Sequence, residues 1–143
     1  MKTNFRITSD IVEFEKSALC KIFYSDIPDS TSKKFYVYSS GLIFENGISE
    51  IKPEIFYEEK KAGSNFDIFS IVFYFISRYE EWQSFEPDSH GRFEANQSIL
   101  FKNNKLESPL VDFWIRNFQN ELKKFFPSLE FPVSKPKLIS TID

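Results

Sequence analysis

An α+β domain is what this sequence predicts, with a small mixed β-sheet packed by a buried central helix and a second amphipathic helix. Three stretches carry that prediction. Between Cys20 and Ile48, short runs of β-favouring residues alternate with turn-forming clusters. From Ile68 to Ile76 nearly every side chain is apolar, Ser70 being the one interruption, and a helix apolar all round belongs in a core. From Ser108 to Phe126 a helix-start signal opens an amphipathic pattern. An α/β arrangement is the alternative, favoured if a further strand and helix lie upstream.

In chain order, Phe5 to Thr8 reads as a short strand. Thr8-Ser9-Asp10 then offers N-cap oxygens to a brief helix over Ile11 to Phe14. Cys20 to Ser25 is a strand closed by Asp26-Ile27-Pro28-Asp29-Ser30, and Phe35 to Tyr38 is another. Leu42 to Ile48 predicts a hairpin, because Asn46-Gly47 tolerates the positive φ of a two-residue turn. Pro53, the charged run Glu58 to Lys61 and Gly63-Ser64-Asn65 mark an exposed connection.

Asp67 can cap the central helix. Its residues Ile68, Ile71, Val72, Phe75, Tyr79 and Trp82 form one stripe, and Phe69, Phe73 and Ile76 a second, so it should pack on the sheet with one and on a helix with the other. Ile99 to Leu106 suggests a second hairpin around Asn103-Asn104. Ser108 as N-cap and Pro109 at the first helical position then start a helix reaching Phe125 or Phe126. Val111, Trp114, Ile115, Phe118, Leu122 and Phe125 form its buried side, Lys123 and Lys124 suit its negative end, and Pro127 stops it. Phe131 to Pro136 is a proline-rich linker, and Leu138 to Asp143 reads as a strand ending on a carboxylate.

The 143 residues suffice for one core-forming domain. With 18 Phe and an aromatic share of 18%, that core should be built from flat side chains. A formal charge of -3 without basic clusters argues against nucleic acid. The single cysteine, Cys20, excludes an internal disulfide and is expected to be a small buried hydrophobe in its strand. The N-terminal residues lack an apolar signal region, and no apolar run approaches the ~20 residues that span a bilayer. A cytoplasmic protein without membrane contact is the expectation.

The chain carries no glycine-rich phosphate loop, paired-Cys motif or Gly-x-Ser-x-Gly elbow. Its densest complementary charge is Arg78, Glu80, Glu81, Asp88, His90, Arg92 and Glu94, here called the collar. Glu80 and Glu81 point about 100° apart on a helix and form no ready acid/base pair. One could pair with Arg92 while the other meets solvent, and Gly91 lets the loop turn beside His90. With Tyr79, Trp82 and Phe93 the collar could hold a sugar, since saccharide sites combine an aromatic platform with fixed polar partners. The preferred reading is that the same residues simply tie the loop to the helix end and satisfy exposed carbonyls.

Phe73 to Trp82, followed by Pro87 to Ala95, resembles the uncharacterised domain that precedes the catalytic domain of bacterial polysaccharide-deacetylase-like proteins, of the carbohydrate esterase family four type. The resemblance runs from Leu42 through Ser108-Pro109 to the last strand and is specific between Arg78 and Ala95. Members carry a further strand and helix upstream, so the chain is expected to begin inside the family's domain. On this resemblance residues 1–130 form an accessory domain, and residues 131–143 form a linker and the first strand of a following deacetylase-like domain. Thr141-Ile142-Asp143 looks like the opening of the first deacetylase motif, and Asp143 would be the base in the complete protein. The second aspartate and the His-x-x-x-His pair of the metal site would lie past Asp143, so the resemblance implies a divalent metal for the parent protein and none for this fragment.

The leading functional reading is therefore a non-catalytic accessory domain for docking, oligomerisation or glycan positioning, partnered by the following domain and a glycan. The competing reading is a free-standing catalytic module using His90 with Glu81 or Asp88 as acid and base.

Overall fold

A computed structural model describes residues 5–28, 34–51 and 67–132. It is an α+β structure. Helix α1 (Ile11–Lys16) leads into strand β1 (Ile22–Ser25), strand β2 (Phe35–Tyr38) and a first 3-10 turn (Leu42–Phe44). The central helix α2 (Ile68–Ile76), a short helix α3 (Ile99–Lys102) and the long helix α4 (Leu110–Phe125) follow. Among the described residues the sheet has two strands and is parallel, Ile22 lying opposite Phe35 and Ser25 opposite Tyr38, so the mixed pairing expected above is not found there.

Local chemistry explains most boundaries. Asp10 Oδ1 accepts the N–H groups of Val12 (2.8 Å) and Glu13 (3.2 Å), which starts α1 where expected and lets it run two residues further. The α1 helix is docked by Lys34, which is 8% exposed, its ammonium 2.7 Å from Glu15 Oε1 and 4.4 Å from the Phe23 ring centroid. Asp67 caps α2 by accepting Ser70 N–H at 2.9 Å. The core joins Phe35 and Val37 of β2 to Leu42, to Ile68, Ile71 and Tyr74 of α2, and to Leu122 of α4. Edge-on rings tie these layers together: Tyr24 to Phe69 at 5.0 Å, Phe69 to Phe118 at 5.7 Å and Phe118 to Phe35 at 5.8 Å.

Several expectations are corrected. Phe5 to Thr8 is no strand, and Phe5 and Ile7 stand 84% and 86% exposed. The hairpin at Asn46-Gly47 is replaced by the 3-10 turn, because Gly41 at φ 88 turns the chain and Leu42 drops into the core. Around Asn103-Asn104 the second hairpin is instead the helix α3: Ser98 Oγ caps it and Asn104, at φ 54, ends it in the left-handed conformation common past a helix C-terminus. Cys20 is exposed just before β1 rather than buried within it.

The central helix is not buried all round. Phe73 and Ile76 are 41% and 69% exposed, while Ser70, the polar interruption, is fully buried. Pro109 rather than Ser108 occupies the cap position of α4, without a side-chain bond. On that helix Leu122 is buried and Phe125 is 40% exposed. Phe131, assigned to the linker, packs against the core. The Glu58 to Lys61 run, the strand at Leu138 to Asp143 and Asp143 itself lie outside the described residues.

Candidate functional site

Arg78 ends α2 with a backbone at φ 54, which reverses the chain into a second 3-10 turn, Tyr79–Glu81. From there residues 82–98 form a polar loop that returns to α3. The collar is distributed along this loop as three separate fastenings. Arg78 Nη2 pairs with Glu81 Oε1 at the surface. Glu80 Oε2 accepts the Ile99 N–H at 3.0 Å and so anchors the start of α3 to the end of α2. Asp88 Oδ1 accepts the N–H groups of His90 and Arg92, both at 2.8 Å, while its Oδ2 meets Arg92 Nε at 3.3 Å.

The Arg92 N–H holds the Asp88 carboxyl below its ordinary range, against partial desolvation and with help from His90 N–H and the guanidinium. Gly91, at φ 77, makes the tight return, as the sequence predicts. Arg92 therefore pairs with Asp88, and neither Glu80 nor Glu81 is its partner. His90 is exposed and engages Asp88 through its main chain. Glu94 accepts from Asn96 Nδ2 at 3.1 Å.

The aromatic members also separate. Tyr79 is 4% exposed; its hydroxyl accepts Ser49 N–H (2.9 Å) and donates to Glu45 Oε2 (3.4 Å), so it serves the interior. Trp82 is 70% exposed and stands apart from the cavity described next. Phe93 packs edge-on against Phe85, centroids 5.4 Å apart.

Between the loop and α3 lies an open groove of about 520 Å³. Tyr74, Glu80, Gln83, Ser84, Phe85, Phe93, Gln97, Ile99, Lys102 and Asn103 line it. Of the predicted collar only Glu80 reaches this groove. Its walls are fixed by amide side chains that the sequence reading missed. Gln97 clamps Glu86, donating to its carbonyl (2.5 Å) and accepting its N–H (3.1 Å). Gln83 donates to Ser49 O (2.7 Å) and accepts from the Tyr74 hydroxyl (3.3 Å). Asn103 Nδ2 donates to Ile99 O at 2.8 Å. Burial, then the charge of Glu80, pushes the Tyr74 hydroxyl well above its ordinary pKa, so it remains a donor. Glutamines fourteen residues apart share no sequence pattern that would reveal such a clamp.

A second polar cluster, also missed, sits where the parallel strands end. Asp67 is 5% exposed, and its Oδ2 accepts from Tyr24 Oη (2.8 Å), Ser40 N (2.7 Å) and Ser40 Oγ (2.8 Å) while Oδ1 accepts Ser70 N. Three of the four donors converge on Oδ2 and one reaches Oδ1. These bonds tie β1, the segment just after β2 and α2 together, which makes the cluster a structural joint.

Among the described residues no three His, Cys, Asp or Glu side chains stand together as a metal site would require. Nor is any described helix long and apolar enough to cross a membrane. Residues 1–127 match a family model whose description is Family of unknown function (DUF7033). No curated protein and no solved structure matches the chain.

Proposed function

The chain thus belongs to DUF7033, a family of unknown function, and since membership brings no activity with it, we propose that this is a non-catalytic accessory domain of a polysaccharide-deacetylase-like protein. It docks the following catalytic domain or positions that domain's glycan. One observation carries the reading: the collar carboxylates that acid/base chemistry would need are used as anchors. Glu80 holds the Ile99 amide, Asp88 holds the His90 and Arg92 amides, and Glu81 holds Arg78. A general base must be free to take a proton from substrate, and carboxylates arranged like these instead fix the shape of a loop. The resemblance of Phe73 to Ala95 to the domain preceding such catalytic domains supplies the context.

In this proposal Asp143 and a divalent metal belong to the following domain, as the resemblance of Thr141-Ile142-Asp143 to the first deacetylase motif implies. A cytoplasmic setting is part of the same proposal, supported by the exposed free thiol of Cys20. The purified chain, incubated with acetylated oligosaccharides with and without zinc, is expected to release no acetate above the blank. Release that disappears in His90→Ala would sink the proposal and favour the catalytic module built on His90 with Glu81 or Asp88.

A further inference from the structure

The groove beside α3 has walls of mixed character, and its chemistry narrows what can fill it. Phe85 and Phe93, both half-buried, offer an apolar edge. Glu80 and the exposed Lys102 put opposite charges on the same groove, which favours neither an anion nor a cation. Gln83 and Gln97 each give one N–H and one lone pair to main-chain and tyrosine partners, so they are held as struts and keep a second N–H and a second lone pair. Glu80 Oε1 and Asn103 Oδ1 add acceptors and Lys102 Nζ adds a donor, while the Ser84 hydroxyl and N–H are taken by Glu50. A groove that is open, held by hydrogen-bonded struts, electrically balanced and equipped with an apolar edge and fixed donors and acceptors suits a neutral ring that carries hydroxyls on its rim and C–H groups on its faces.

We propose that this groove is a saccharide subsite, in which Phe93 packs against one face of a neutral sugar ring while Glu80, Lys102 and Asn103 bond its hydroxyl or acetamido groups. The inference rests on the accessory-domain reading for its biological setting, and it moves the aromatic platform from Tyr79 and Trp82, where the sequence suggests it, to Phe93. Pre-formed walls lower the ordering cost of binding, while the openness of the groove limits contact to about one ring, so affinity for a short oligomer should be weak and saturable.

The test is a two-dimensional amide NMR titration of the intact chain with neutral hexose oligomers and with their N-acetylated counterparts, a free amino acid serving as zwitterionic control. The expected result is saturable shifts at Ser84, Phe85, Phe93 and the Asn103 side-chain amide. Phe93→Ala should weaken binding about tenfold and the exposed Lys102→Ala about threefold, with Trp82→Ala unchanged. The unfolding midpoints of Phe93→Ala and Lys102→Ala separate lost binding from lost folding. No saturable shift, shifts gathered around Trp82, or saturation by the amino acid alone would each overturn the inference. Acetate release separates the two proposals: binding accompanied by turnover leaves the subsite standing and removes the accessory reading, whereas no binding and no turnover does the reverse.

Discussion

Asp67 and Asp88 perform the same act in opposite surroundings. Each carboxylate accepts two main-chain N–H groups, yet Asp67 is 5% exposed and joins three elements distant in sequence, while Asp88 works within a five-residue turn at the surface. Burial makes the difference. An unpaired charge in the interior is costly, so Asp67 is tolerated because Tyr24, Ser40 and Ser70 supply four donors, and the buried Ser70 N–H depends on it in turn. Around Asp88, water can replace any bond that is lost. The charge-dense region therefore governs local shape, and the sparse one governs whether the sheet and the central helix stay together.

Substitutions should rank accordingly. Asp67→Ala strands the buried Ser70 N–H, frees the half-buried Tyr24 hydroxyl and both Ser40 donors and uncaps α2, and should cost about 3 kcal/mol in denaturant unfolding; a loss below that of Glu80→Ala would reverse the ranking. Tyr24→Phe removes one donor to the same carboxylate and should cost about 2 kcal/mol at neutral pH. Burial chiefly, with the Asp67 charge adding, pushes the Tyr24 hydroxyl from 10 up to about 12, against the hydroxyls of Ser39 and Ser70. The folded state thus holds this proton more tightly than the unfolded one. That contribution is fully present below pH 10 and lost as the pH rises through about 12. The gap in melting temperature between wild type and Tyr24→Phe should therefore be flat below pH 10 and narrow above it.

Within the collar the effects shrink. Glu80→Ala should cost about 1.5 kcal/mol, because the half-buried carboxylate accepts a main-chain N–H at the start of α3. Arg78→Ala removes only a surface ion pair and should change stability by less than about 0.5 kcal/mol. Arg78→Gly loses the same pair but relieves a left-handed backbone at φ 54, and should be more stable than Arg78→Ala by about 1 kcal/mol. Equal stabilities for those two variants would mean that the turn after α2 is unstrained.

Legibility followed the range of the interactions. The caps at Asp10 and Asp67, both strands and the turn at Gly91 depend on neighbours in sequence, and all were readable. The two hairpins failed because tertiary burial of Leu42 and capping by Ser98 decided those segments over the turn propensity of Asn46-Gly47 and Asn103-Asn104. Charge density drew attention to Arg78 through Arg92, whereas the groove is built by Gln83, Gln97 and Asn103, which match partners a long way along the chain or in its backbone. Ser70 looked like a flaw in an apolar helix and proves to be where the helix meets Asp67.

The account stands most directly on the bond between Glu80 and the Ile99 amide, which makes a collar carboxylate an anchor and forms one wall of the groove. Native-state hydrogen exchange reads that amide alone. The prediction is that Ile99 exchanges roughly 100-fold slower than an unstructured amide and loses this protection in Glu80→Ala, while Ser70 keeps its own. Intrinsic-rate exchange at Ile99 in the wild type, or protection that survives Glu80→Ala, would contradict it.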